Sequence, residues 1–132
     1  MSTVRALVIA HHVPAGVRFA DIPAPEPGPE EVVVRNAVSS LNFGEVRRAA
    51  LDLEPEGKIL GWDTAGTVAR VGSKVDSVKP GDRVVAHAAL SGWAEERVVH
   101  QHDVAQVPAS VSLEQASALP TAAVTALRAL QK

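Results

Sequence analysis

Cysteine is absent from the 132 residues. No disulfide and no thiolate metal site can therefore form, which is compatible with a reducing compartment. Tyrosine is absent too, and two Trp and two Phe leave an aromatic share of only 3%. The core has to be built mostly from Val, Leu, Ile and Ala. Neither sign of charge dominates: 13 basic and 15 acidic residues give a formal net charge of -2. That balance argues against a nucleic-acid or anionic-membrane partner, either of which favours a basic patch. No apolar run approaches the roughly 18 residues of a membrane span. The start, Met1-Ser2-Thr3-Val4-Arg5, passes straight into a strand-like run without the pattern of a signal peptide. Cytoplasm is the expected location. Internal repeats and low-complexity tracts are missing. So is G-x-G-x-x-G, the Gly-rich turn that holds a dinucleotide pyrophosphate.

What is present suits one domain with one hydrophobic core, given the length and an apolar share of 46%. The chain is organised around residues 61–85, GWDTAGTVARVGSKVDSVKPGDRVV. Gly66 precedes a β-prone run over 67–71. Gly72-Ser73 and Pro80-Gly81-Asp82 are turn chemistry, and an extended run resumes at Arg83. Gly, Pro and branched residues at such short intervals predict a tightly bent β-barrel. Further strands are expected over 4–10, 17–22, 31–39, 84–89, 93–100 and 103–107. In the third, Val32, Val34 and Val38 would share one face. Four prolines within 23–29 make a stiff loop. A short helix is expected over 42–51, where Phe43, Val46 and Ala50 recur at helical spacing and Arg47 and Arg48 face solvent. Ser112 and Gln115 form a capping-box pattern. Pro120 suits the start of a last helix over 121–131, whose apolar residues run nearly all the way round. Such a helix calls for cover on more than one face, and a homodimer is one way to supply it.

Several pieces of this chain, taken in order, resemble the N-terminal GroES-like domain of medium-chain dehydrogenases/reductases, in particular the zinc-free quinone oxidoreductase branch. They are Asn42-Phe43-Gly44-Glu45, Gly61-Trp62-Asp63, Ala65-Gly66-Thr67-Val68, Pro80-Gly81-Asp82-Arg83-Val84, Gly92-Trp93-Ala94-Glu95 and Leu119-Pro120 with Thr125-Ala126. The resemblance runs from Arg5 to about Leu130. It implies a mainly β fold with short helices, a GroES-like bent β-barrel. It also implies a substrate-side domain over 1–119, with 120–132 beginning the helix that leads to a Rossmann cofactor domain. On that comparison the chain is the N-terminal half of an enzyme and is inactive alone. The implied activity is NADPH-dependent, zinc-independent reduction of a quinone, enone or related conjugated carbonyl. Zinc-dependent alcohol dehydrogenation and a non-enzymatic association module are the alternatives.

The residue roles follow from the same resemblance. Zinc relatives place ligands where this chain has Asn42, or a near neighbour, and Trp62; neither can serve, so no metal is expected. His100 and His102 would share a strand face, but two His without a third ligand make no zinc site. Asn42 corresponds to a cleft residue near cofactor and substrate, where its amide could donate to an oxygen gaining negative charge. It is equally a good helix cap. Phe43, Trp62 and Trp93 are candidate walls of the substrate pocket, with core filling as the plainer role for Trp. Thr125 matches a Thr that approaches the nicotinamide amide, unless its hydroxyl bonds back to the preceding helical turn. Glu45 is expected to bond backbone donors. Relatives often carry a Tyr proton donor shortly after the Asn, and this chain has none.

Overall fold

The computed structural model describes residues 2–131. Seven strands run in the order β1 (Thr3–Ile9), β2 (Val17–Pro23), β3 (Glu31–Ser40), β4 (Asp63–Val71), β5 (Arg83–His87), β6 (Glu96–His100) and β7 (Val104–Gln106). The helix α1 (Phe43–Ala50) lies between β3 and β4, and α2 (Leu113–Ser117) and α3 (Val124–Leu130) follow β7. The fold is mainly β with short helices, as the sequence predicts. β1 and β2 form an antiparallel hairpin, and the other five strands make a sheet in the order β6-β3-β4-β5-β7. The two sheets meet where Ala6 bridges to Ala94, with Leu7 N–H donating to the Trp93 carbonyl and Glu95 N–H to the Arg5 carbonyl. No helix among the described residues is long and apolar enough to cross a membrane.

A valine core fills the bend of the five-stranded sheet, with Val32, Val34, Val68, Val84 and Val99 from four of its strands. The expected face division of β3 is only partly kept. Val32, Val33 and Val34 are all fully buried, and Val38 packs in a separate cluster with Ala65, Val107 and Ala116. Register shifts at Val33/Val34 and Asn36/Val38 turn the strand, so simple alternation fails along it.

β4 starts at Asp63, four residues ahead of the expected 67–71, so Gly66 lies inside the strand. A Cβ there would stand 2.0 Å from the Arg35 carbonyl oxygen. The close approach of β3 explains the glycine better than a turn does. β6 is shorter than expected: 93–95 are irregular, and only Glu96–His100 pairs with β3. His102 falls in a 3-10 turn (Gln101–Asp103), not on a continued strand, although its ring lies 5.0 Å from that of His100.

The expected apolar face of α1 is reversed. Phe43 is 82% exposed and Val46 and Ala50 also face outward, while Glu45 and Ala49 are buried. The reason is polar: the Glu45 carboxylate has unpaired backbone donors to satisfy. At the C-terminal end, Ser112 and Gln115 form the expected capping box on α2. The chain then passes through one π-helical turn (Leu119–Ala123), opened by Pro120, into α3.

Candidate functional site

The chemistry collects around Asp63, at the first residue of β4. Its side chain is wholly buried yet receives five hydrogen bonds. His87 Nδ1 lies 2.9 Å from Oδ1 and Thr121 Oγ1 donates to the same oxygen at 2.8 Å. Oδ2 accepts from Thr121 N–H at 3.2 Å, and from Asn42 Nδ2 and Ser40 Oγ, both at 3.3 Å. Four separate stretches of chain converge here: the end of β3 with its helix cap, the start of β4, the end of β5 and the π turn before α3. Asp63 and His87 face each other directly in the β4–β5 ladder. Burial works to raise the Asp63 carboxyl, but the bonds from His87, Thr121 and Asn42 outweigh it and hold the group below the usual carboxylate range.

Asn42 is the N-cap of α1. Its backbone N–H donates to Glu45 Oε2 at 2.8 Å, and Glu45 Oε1 accepts from the Trp62 N–H. Glu45 thus bonds backbone donors, as expected, and ties the start of the helix to the start of β4. The Asn42 side-chain amide sits between two carboxylates, 3.2 Å from Glu45 Oε2 and 3.3 Å from Asp63 Oδ2. Both neighbours accept, so the nitrogen faces them and both amide hydrogens are committed.

Arg97, 1% exposed, underpins the cluster from β6. It donates to the carbonyls of Trp62, Ala88 and Leu90 and to Thr64 Oγ1. It therefore grips the chain on both sides of the Asp63–His87 pair. Burial pushes its guanidinium down to about 10, against the pull of Asp63, Glu45 and Asp103. At neutral pH it remains a cation.

The other expected site residues are distributed differently. Trp62 packs its ring over Gly44, beside the hub but outside the main cavity. Trp93 packs with Ile9, Ala49 and Leu60 and also lines a cavity of about 550 Å3, with Leu7, Val17, Val38, Leu41 and Val46. Phe43 projects outward and Thr125 is exposed on α3. The hydroxyl that reaches the hub is that of Thr121, one turn earlier. Thr125 makes no side-chain hydrogen bond among the described residues, so the back-bond to the preceding turn is not formed. No group of three or more His, Asp or Glu among the described residues is placed to hold a metal ion.

Sequence reasoning missed the Asp63–His87–Thr121 set. Asp63 stood in the quoted Gly61-Trp62-Asp63 piece without a role. The one signal on the page was an Asp and a His at the edges of otherwise apolar runs.

A bent, mainly β domain with short helices is the architecture of a GroES-like domain. The chain belongs to that family: residues 28–126 match the alcohol dehydrogenase GroES-like domain. Its relatives include quinone oxidoreductase-like members of the medium-chain dehydrogenases/reductases. It is 34% identical over 111 residues to quinone oxidoreductase-like protein 2 of Bos taurus, covering 78% of this chain and 30% of that protein. It is 39% identical over 83 residues to human sorbitol dehydrogenase, covering 59% and 23%. The structure of Escherichia coli quinone oxidoreductase complexed with NADPH superposes with a TM-score of 0.86 at 28% identity, over 97% of this chain and 40% of that one. The chain thus spans less than half of the length of each.

Proposed function

We propose that this domain is the substrate-side part of an NADPH-dependent, zinc-independent oxidoreductase that reduces a quinone, enone or related conjugated carbonyl. The observation that carries the reading is the polar hub at Asp63, built from hydrogen-bonded side chains with Trp62 and Asn42 as neighbours. It is supported by the likeness to an oxidoreductase whose structure contains NADPH.

The residues present fit one end of such a cofactor. The exposed Thr125 hydroxyl is free to meet a carboxamide, and the half-exposed imidazole of His87 and the indole of Trp62 offer flat neighbours to a flat ring. Nothing here fits a pyrophosphate, since no Gly-rich turn occurs. The dinucleotide would be held mainly by a Rossmann domain that follows residues 120–132. When bound, it supplies the hydride; the protein supplies orientation and polar surroundings. In this reading Asn42 borders the reacting centre, Thr125 orients the cofactor amide, and Trp62 bounds the space for a flat substrate at the hub, while Trp93 lines the cavity described above and Phe43 projects outward.

The test is an assay of the full-length protein. NADPH consumption with quinones or enones, unaffected by chelators, is the expected result. Chelator-sensitive oxidation of alcohols or polyols would move the protein to the zinc branch, the reading that the sorbitol dehydrogenase match favours.

A further inference from the structure

We infer that His87 is the proton donor of this site, aimed by Asp63 to present Nε2–H to the carbonyl oxygen of the substrate. This rests on the oxidoreductase reading above and adds a residue to it.

A conjugated carbonyl that accepts a hydride gains negative charge on oxygen and must take up a proton. Asn42 is badly placed to give one, because an amide is no acid and both of its hydrogens are held by carboxylates. The chain has no Tyr and no Cys. Among the side chains on the hub, His87 is the one imidazole, the side-chain type used most often as a general acid. Its geometry suits the task. Nδ1 is bonded to the wholly buried Asp63 at 2.9 Å, while the side chain is 54% exposed and Nε2 has no partner among the described residues. With Nδ1–H pinned to a carboxylate, the proton that comes and goes is the one on Nε2.

Three ionisable groups belong to the hub: Asp63 from β4 bonds the imidazole, and Glu45 from α1 and Arg97 from β6 bond the backbone of Trp62 next to it. Both carboxylates only accept hydrogen bonds, and Arg97 is the one buried cation beside them. Thr121 fixes the other side of Asp63 and carries no charge. In the step itself, one proton leaves Nε2 for the oxygen; the reduced nicotinamide of that reading would supply the hydride that the conjugated system takes up. The substrate gains two electrons and two hydrogens, and the neutral ring takes a proton back from water.

Two measurements decide this. On the 132-residue chain, 15N NMR of the neutral His87 ring should show the Nδ1–H tautomer, and Asp63→Asn should abolish that preference. In the full-length enzyme, His87→Gln should lower kcat about 100-fold with KM nearly unchanged. It should also change the shape of the pH profile of kcat relative to wild type. A neutral ring protonated on Nε2, or a His87→Gln enzyme with wild-type kcat and pH profile, overturns the inference. Full-length protein inactive towards every conjugated carbonyl overturns the parent reading instead. The tautomer then decides alone whether the ring is aimed as described.

Discussion

At the scale of single residues, the domain is governed by a few buried charges that are each answered. Asp63 is the extreme case, with no exposure and five donors. Asp63→Ala would remove a carboxylate whose charge favours the Arg97 cation and take a partner from Thr121 N–H, Thr121 Oγ1, Ser40 Oγ, Asn42 Nδ2 and His87 Nδ1. The expected loss is about 3–5 kcal/mol, the range for breaking a buried charge pair from one side. Urea unfolding followed by far-ultraviolet circular dichroism measures it, and a loss below about 1 kcal/mol would mean that water replaces the carboxylate. Asn42→Ala separates two roles. Removing the amide takes a donor from the Glu45 and Asp63 carboxylates and should cost about 1 kcal/mol of stability. If Asn42 also orders the proposed reacting centre by holding Asp63, kcat of the full-length protein should fall about 10-fold or more. An unchanged rate in the folded variant reduces Asn42 to a helix cap. These roles were half legible from sequence. Asn42 and Glu45 are close in the chain, and a cap followed by an acid three residues on is a recognisable local pattern. Asp63 and His87 are joined by a ladder whose register depends on a long connection over 72–82. No local rule sets it.

At the scale of elements, the strands were legible wherever a β-branched run was bounded by turn residues, as in β1, β2 and β5. They were misjudged where a neighbour dictates the boundary. β4 begins early because the Asp63 side chain and the Trp62 N–H are both held by groups on other elements. β6 begins late because 93–95 bond to β1 instead. Polar satisfaction inside likewise overrides hydrophobic periodicity in α1. The glycine inside β4 gives the sharpest element-level test. Gly66→Ala places a methyl 2.0 Å from the Arg35 carbonyl oxygen, and a backbone atom cannot swing away. Overpacking of this kind costs about 1–3 kcal/mol, and the β3–β4 amides should lose hydrogen-exchange protection together. α3 behaves in the opposite way. Residues 122–131 are all exposed, including Val124, Leu127 and Leu130. A helix of this length is marginal without packing. In the 132-residue chain its amides should exchange far faster than those of the valine core, unless a second copy covers it. Sedimentation that shifts with concentration, together with slowed exchange in α3, would identify a homodimer.

At the scale of the whole molecule, the answered carboxylates set a common response to acid. Glu54 is held by Lys58 at 2.6 Å and by Arg48, and Glu96 by Arg70 at 2.8 Å and Arg35 at 3.2 Å. The bond from Lys58 lowers the Glu54 carboxyl against burial. Burial pushes Glu96 up, and Arg70 and Arg35 more than reverse it. Asp63 is lowered by its own donors. All three are thus more acidic folded than unfolded. Below the unfolded values, about 4 for Asp and 4.3 for Glu, the unfolded chain binds protons that the native chain still refuses. Stability from these groups is therefore fully present above that range and is lost as pH falls through the depressed native values. The domain should keep a nearly constant urea midpoint from about pH 7 to 5 and lose it steeply below about pH 4. The three sites sit in different places: under the sheet junction, beside α1 and at the hub. Their losses should therefore add. Glu96→Gln lowers stability at neutral pH, because two arginines lose their partner, but it removes one proton-binding site from the acid transition. Its midpoint should start lower and fall less steeply than wild type. Parallel pH curves for the two proteins would show that Glu96 does not take part, and that the other lowered carboxylates, Glu54, Asp63, Asp82, Glu95 and Glu114, drive acid unfolding.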